Sequence, residues 1–479
     1  MQQDLGEIKK VFDNHGYSIN SIVTDILKKF NFKSICWQSG AKKGDGYSVT
    51  EILVLMLMMP LMLVKSVHAL YKSQYKENVS MQKDVFYRLK NNENMPWRRL
   101  LYSIAKKFRL LVNPDKNIAD NSSFIVDDTI DIRVGYKIEN ISMVHDHTGN
   151  KKGAKLRFKD LFLGYFDGKS FNPLDFSIHT EKLLNRKKRK KQFEKDCAKN
   201  SNGYKRRKEC KVNKINNALK MIKRAVKNGF MAKYVLADSW FGSKKFIQTI
   251  RSIKNGAMHV VCGVRKDKRK YTYKGEKVNA KQLLKILKKE GKPKRCRKWN
   301  TRYYEVIVKY EGIGTVKLYL CRFPYQKKWR LYLSTDTNLT FIKMMEIYTI
   351  RWSIEIFFKE AKQFLRLGKC QSRDFDAQIA SITISCILYI LLSYIRRIND
   401  YESLGGLFEA ISDDLNEKNL AQRLWQLFDD LLQVAISIIA ESGVVDITLF
   451  KKSPEYQYIK STFEESFLSN QIFSFNKSA

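Results

Sequence analysis

Residues Tyr348–Lys362 read YTIRWSIEIFFKEAK. Trp352, Ile354, Ile356, Phe357 and Phe358 supply the apolar content of a buried element, and their spacing predicts one continuous helix over 348–362. Polar residues share that helix. At about 100° per residue, Tyr348, Arg351, Glu355 and Lys362 fall within an arc of roughly 60°. A row of solvated ion pairs is one reading, and such pairs are worth little. The other reading is a working face. A carboxylate there could hold a metal while the guanidinium and ammonium grip phosphates close to it.

Two further carboxylates end apolar, strand-like runs. Asp127 follows FIV in SSFIVDDTIDI, and Asp238 follows YVLA in KYVLADSWF. A carboxylate beside buried apolar residues is costly unless something compensates it. A hard divalent cation does so efficiently and leaves positions open for phosphate oxygens and water. Two strand acids and one helix acid could hold two metals for in-line displacement at phosphorus. Asp127 and Asp128 point to opposite faces of their strand, so only one of them can face such a site.

The spacing Tyr-x2-Arg-x3-Glu-x6-Lys, here Tyr348, Arg351, Glu355 and Lys362, resembles the signature of the DDE transposases in the family named for insertion sequence four. VDDT resembles that family's first block, a strand followed by D-x-T, which selects Asp127. LADSWF resembles the second block and selects Asp238. The resemblance runs from about residue 121 to 395. It implies an α/β, RNase H-like catalytic core carrying a β-rich insertion, flanked by helical N- and C-terminal regions. The implied catalytic and metal-holding residues are Asp127, Asp238 and Glu355, with two Mg²⁺ or Mn²⁺ ions. The implied activity is cleavage of DNA at element ends and strand transfer into target DNA. Its implied partner is double-stranded DNA, both terminal inverted repeats and target, bound by a homodimer. Tyr348, Arg351, Lys362 and Trp329 are the expected DNA contacts. Relatives often pass through a DNA hairpin that needs a flipped base, and Trp329 is the candidate to receive it, with Trp352 next.

Working outward, residues 1–118 carry helical spacing with basic polar faces and are expected to form a DNA-binding domain. The core is expected over 119–265 and 336–400, the insertion over 266–335, and a helical, more acidic region over 401–479. A basic tract, Lys187–Lys214, is expected to be a solvated loop or arm that also touches phosphate. His145 and His147 alternate in VHDHTG and are read as one core and one exposed histidine, not as ligands.

The global balance agrees with a polyanionic partner: 89 basic against 48 acidic residues give a net charge of +41. Apolar residues at 44% are enough to build cores, so wholesale disorder is excluded. The eight cysteines form no C-x-x-C pair, which argues against a zinc ribbon or a disulfide framework. The first twenty residues contain no apolar signal core, so a cytoplasmic protein, nucleoid-associated when on DNA, is expected. Ala377–Ile395 is long enough to span a bilayer, but its Gln, Ser and Thr residues read as a buried helix, and no membrane is expected. Two rival functions share these features: a non-catalytic DNA-binding protein derived from a transposase, and a structure-specific nuclease on the same fold.

Overall fold

The structure is a computed structural model. It describes residues 26–43, 45–73, 75–76, 79–132, 135–145, 154–181, 193–324, 326–399, 401–413, 451–454, 456–458 and 461. The chain divides into two compact units. One comprises Met1–Gln38, Lys42–Leu89 and Tyr394–Ala479, and the other Ser39–Ala41 and Lys90–Ser393.

The first unit is helical among its described residues: α1 (Phe32–Gln38), α2 (Val49–Leu61), α3 (Val67–Leu70) and most of α4 (Lys83–Lys90). A capping box starts α2, with Ser48 and Glu51 each receiving the other's backbone N–H, and Pro60 falls in its last turn. Of the expected helical region over 401–479, residues 404–413 are helical and most of the remainder lies outside the described residues.

The second unit is a mixed α/β body built on a twelve-stranded sheet. Its first half comprises β1 (Ser123–Ile132), β2 (Ser142–His145), β3 (Ala154–Phe166), β4 (Phe171–His179), β5 (Tyr234–Ala237) and β6 (His259–Gly263). β1 is antiparallel to β3 and parallel to β5, β3 is antiparallel to β4, and β5 is parallel to β6. An order β4-β3-β1-β5-β6 with that mixture of directions is the sheet an RNase H-like core requires. Helices α5 (Trp97–Val112), α6 (Asn202–Cys210), α7 (Lys214–Lys227) and α8 (Lys244–Ser252) belong to the same body, and α5, α6 and α7 all pack on β4.

The second half of the sheet falls within residues 266–335. It contains β7 (Lys270–Tyr273), β8 (Glu276–Asn279), α9 (Ala280–Glu290), β9 (Lys294–Cys296), β10 (Thr301–Tyr310), β11 (Gly314–Arg322) and β12 (Arg330–Ser334). It is continuous with the core, because β12 pairs antiparallel with β6 from Tyr332↔Gly263 to Ser334↔Val261.

After β12 come α10 (Phe341–Thr349), α11 (Trp352–Gln363) and α12 (Phe375–Ile398). The single helix expected over 348–362 is in fact two. Ile350 and Arg351 keep αR dihedrals, but their N–H groups bond three residues back, to Ile347 at 3.1 Å and Tyr348 at 3.1 Å. That 3₁₀-type tightening separates Tyr348 from the helix of Glu355 and places Arg351 at the joint. α12 is long and apolar enough to cross a membrane by length and composition, yet 94% of its most apolar window is buried within the protein.

An aromatic cluster seats α11 on the sheet. Phe162 of β3 meets Phe357 and Phe358 at ring-centroid distances of 5.5 and 5.3 Å, and Phe171 of β4 meets Phe357 at 5.6 Å. Such pairs add about 0.5–1.5 kcal/mol each beyond their buried area. Gly164, at a register shift in β3, makes room for this: a Cβ there would lie 2.1 Å from the Phe171 ring.

Candidate active site

β1 begins fully buried, Ser123 to Val126, and becomes half-buried at Asp127 and Asp128. β5 is buried along its length and ends at Ala237. The parallel register runs from Ser123↔Tyr234 to Val126↔Ala237. Asp127 and Asp238 are therefore the next residues on two neighbouring strands, which sit about 4.8 Å apart in any sheet. Parallel strands in register also turn paired side chains to the same face. Asp238 is fixed by a local turn, its Oδ1 accepting from the N–H groups of Trp240 at 2.8 Å and Phe241 at 3.3 Å.

Glu355 reaches this pair through Arg351. The Arg351 Nη1 donates to Asp127 Oδ2 at 2.7 Å, and Nη2 donates to Glu355 Oε1 at 2.7 Å. The i,i+4 pair that sequence alone would score as minor is thus one arm of a three-residue bridge between strand and helix. Arg351 Nε is buried without a hydrogen-bond partner. Glu355 lies in the first turn of α11, where the helix dipole favours a negative charge.

The charge state of Asp127 reflects this setting. Burial pushes its carboxyl up to about 7 against the downward pull of Arg351, and Asp238 and Asp128 push it further up. Asp128 faces the other way, ion-paired with Lys214 at the start of α7. The Lys214 ammonium also lies 4.3 Å from the Trp240 ring centroid. The sequence gives Lys214 only a place at the end of the basic tract and gives Trp240 no role. Trp240 was visible two residues after Asp238, whereas nothing local marks Lys214 within a basic tract.

The remaining expected site residues are distributed as follows. Tyr348 packs edge-on against Tyr332 of β12 at 4.7 Å, with the Arg351 guanidinium 5.7 Å from its ring, and burial raises its phenol pKa. Lys362 does not pair with Glu355; its ammonium donates to Thr129 Oγ1 at 2.5 Å and to the Ile130 carbonyl at 3.0 Å, tying the end of α11 to β1. Trp352 is 58% exposed beside Arg351. Trp329 sits among insertion residues, 5.4 Å from Tyr304 and within 6 Å of Lys288 and Arg322. His145 ends β2, and His147 lies outside the described residues. The basic tract departs from expectation: residues 202–210 form helix α6, in which Arg206 and Arg207 are buried.

Among the described residues, no three His, Cys, Asp or Glu side chains are gathered into a ready metal cluster. The donor chemistry nevertheless suits a hard cation, since Asp127, Asp238 and Glu355 offer only carboxylate oxygens. The positive charge between Asp127 and Glu355 is the Arg351 guanidinium.

Two comparisons with protein families bear on this site. Residues 181–391 match the family model described as the transposase DDE domain, which takes in Asp238 and Glu355. Residues 49–284 match that of the DDE superfamily endonuclease, which takes in Asp127 and Asp238. No curated protein matches the chain. Both matches support a transposase-type nuclease of the DDE superfamily.

Proposed function

We propose that this protein is a transposase of the family named for insertion sequence four, which cleaves DNA at element ends and transfers the freed strand into target DNA. The observation that carries this reading is the register Val126↔Ala237, which brings Asp127 and Asp238 to adjacent strand ends beneath a helix whose Glu355 is tied to Asp127 through Arg351. Asp127, Asp238 and Glu355 would hold Mg²⁺ or Mn²⁺, which supplies Lewis-acid activation of water and charge neutralisation at phosphorus.

The chain's own groups have separable tasks. Arg351 aligns two carboxylates with its Nη atoms, a division that suits its planar fork, and is the guanidinium proposed to meet a phosphate of the bound strand. Lys362 holds β1 and α11 in fixed relation with two of its three protons and offers the third to the DNA backbone. Tyr348 packs on Tyr332 and backs the guanidinium. Trp329, in a basic surround, is the proposed acceptor of a flipped base, because base–aromatic stacking contributes about 1–3 kcal/mol. The DNA complex is proposed to be a homodimer on terminal inverted repeats, working in the cytoplasm.

A strand-transfer assay with a labelled 3′-OH end tests the reading. Transfer products are expected. Hydrolysis without transfer would favour a structure-specific nuclease on the same fold, and neither product would leave a non-catalytic DNA-binding protein.

A further inference from the structure

The second unit contains a cavity of about 420 Å³ lined by residues of α5, α6 and α7, in the size range of small-ligand sites. Its lining includes Trp97 and Arg206, which are 3% and 6% exposed. Trp97 Nε1 and Arg206 Nη2 are both buried without any hydrogen-bond partner. An unpaired buried donor is costly, and more so when it is charged. Two in one cavity call for an acceptor.

The charges identify the kind of acceptor. Arg98, Arg99, Lys205, Arg206 and Arg224 line the cavity, against Glu93 and Asp376. Asp376 is already engaged by Arg207 at 3.0 and 2.9 Å. Behind the lining, Asp175 accepts from Arg98 at 2.8 Å and Arg224 at 2.9 Å. Glu209 accepts from Arg98 at 2.6 Å, Arg206 at 3.3 Å and Arg224 at 3.1 Å. Three guanidinium groups thus share two carboxylates while the adjoining Arg207 is shared by Glu139 and Asp376, so among the described residues the cavity's unpaired positive charge rests on Arg99 and Lys205. Burial and the like charge of Arg98 pull the Arg206 guanidinium down to about 10, a strain that a bound anion would relieve. Gly203 allows the close packing here, since a Cβ on it would lie 2.5 Å from Asp376 Oδ1 and 2.8 Å from Arg207 Nη1.

We propose that this cavity is a phosphate-binding site, with Trp97 and Arg206 donating to the anion at its base and Arg99 and Lys205 at its exposed rim. Guanidinium forks match phosphate oxygens, and the cavity is far larger than a halide needs. The site is distinct from the Asp127–Asp238–Glu355 cluster and does not depend on the function proposed for that cluster.

Calorimetric titration of the full chain with inorganic phosphate, at fixed ionic strength, tests it. A chain of net charge +41 attracts phosphate diffusely, so the decisive variants are Trp97→Phe, which changes no charge, and Lys205→Gln at the exposed rim, which leaves the buried network intact. We expect one saturable site in the wild type, weakened roughly tenfold in each variant, as for loss of a hydrogen bond to a charged group. Equal phosphate affinity in all three proteins, or an adventitious ion only, overturns the proposal. Titration of labelled duplex DNA identifies the source of the phosphate. If both variants also weaken DNA binding and phosphate competes with it, the ligand is the nucleic-acid backbone. If DNA affinity is unchanged while phosphate affinity falls, the ligand is a free phosphorylated molecule.

Discussion

Two charged clusters within the same unit are built with opposite excess. Around β1 and α11, carboxylates predominate: Asp127 and Glu355 share one arginine, with Asp238 on the adjoining strand end. Around α5, α6 and α7, arginines predominate, with Arg98, Arg206 and Arg224 dividing Asp175 and Glu209. Their ionisation follows. Asp127 is pushed up to about 7 by burial, because one shared guanidinium does not offset its desolvation. Asp175 is held below the ordinary carboxylate range, its own burial outweighed by Arg98, Arg224 and Arg206. A buried cluster with surplus carboxylate invites a cation, and one with surplus guanidinium invites an anion.

The contrast breaks most severely if the carboxylate excess is idle. Asp238→Ala should lower DNA cleavage at least about a thousandfold, roughly 4 kcal/mol of activation free energy, while DNA binding persists. Cleavage of a pre-bound labelled end measures it. An undiminished rate would remove the acidic cluster from the chemistry and leave its high Asp127 pKa as a purely structural cost.

The arginine-rich cluster should respond in stability instead. Asp175→Asn leaves Arg98, Arg206 and Arg224 facing Glu209 alone, and breaking a buried pair in this way costs about 3–5 kcal/mol. Urea unfolding of the variant reads that cost, and saturating phosphate should restore part of it. A loss below about 1 kcal/mol would show that the three arginines are compensated from elsewhere.

The two clusters were unequally legible in sequence. Asp127, Asp238 and Glu355 stood out because each interrupts an apolar run, which is a local property. That Val126 lies opposite Ala237 is a non-local pairing, and no spacing encodes it. The joint at Ile350–Arg351 escaped periodicity because both residues keep helical dihedrals and only the hydrogen-bond partner changes. Residues 266–335 read as an insertion from the 117 residues that separate Asp238 from Glu355, whereas the pairing of β6 with β12 that continues the sheet is non-local and unmarked in the sequence. The arginine cluster was hidden altogether. Arg206 and Arg207 sit in a tract whose composition signals solvent, and their burial depends on Glu209 of the same helix and on Asp175, Glu139 and Asp376, drawn from three other places in the sequence.

His179, within electrostatic reach of Lys214, Glu209 and Asp128, offers a pH test. It is buried at the end of β4, where Nε2 accepts from Asn217 at 3.3 Å and meets the Ser177 hydroxyl at 2.8 Å. Burial, aided by Lys214, lowers its pKa to about 4, although Glu209 and Asp128 pull the other way. The folded value lies below the unfolded value of 6.5, so the unfolded chain binds the extra proton. Stability tied to this residue is complete above pH 6.5, declines as pH falls toward 4 and levels off below it, a change on the order of 3 kcal/mol. His179→Gln should flatten the unfolding free energy across that window. An unchanged slope would place the acid sensitivity in the carboxylate clusters.

The smallest expected effect is the most discriminating for the acidic cluster. Arg351→Lys keeps the positive charge between Asp127 and Glu355 but replaces a two-ended fork with a single point donor. If Arg351 serves only to neutralise, the variant should cleave at nearly the wild-type rate. If its geometry sets the relation between strand and helix, cleavage should fall roughly tenfold, near 1.4 kcal/mol, because positioning governs in-line attack. Lys362→Gln is the internal reference. Its bonds to Thr129 and Ile130 stabilise the same strand–helix contact without touching a carboxylate, so it should cost about 1 kcal/mol in unfolding and affect cleavage less than Arg351→Lys. Cleavage rates and unfolding free energies measured on both folded variants decide between the two. If Lys362→Gln impairs cleavage more than Arg351→Lys does, the fork is ordinary ion pairing and the working cation of the site is the lysine.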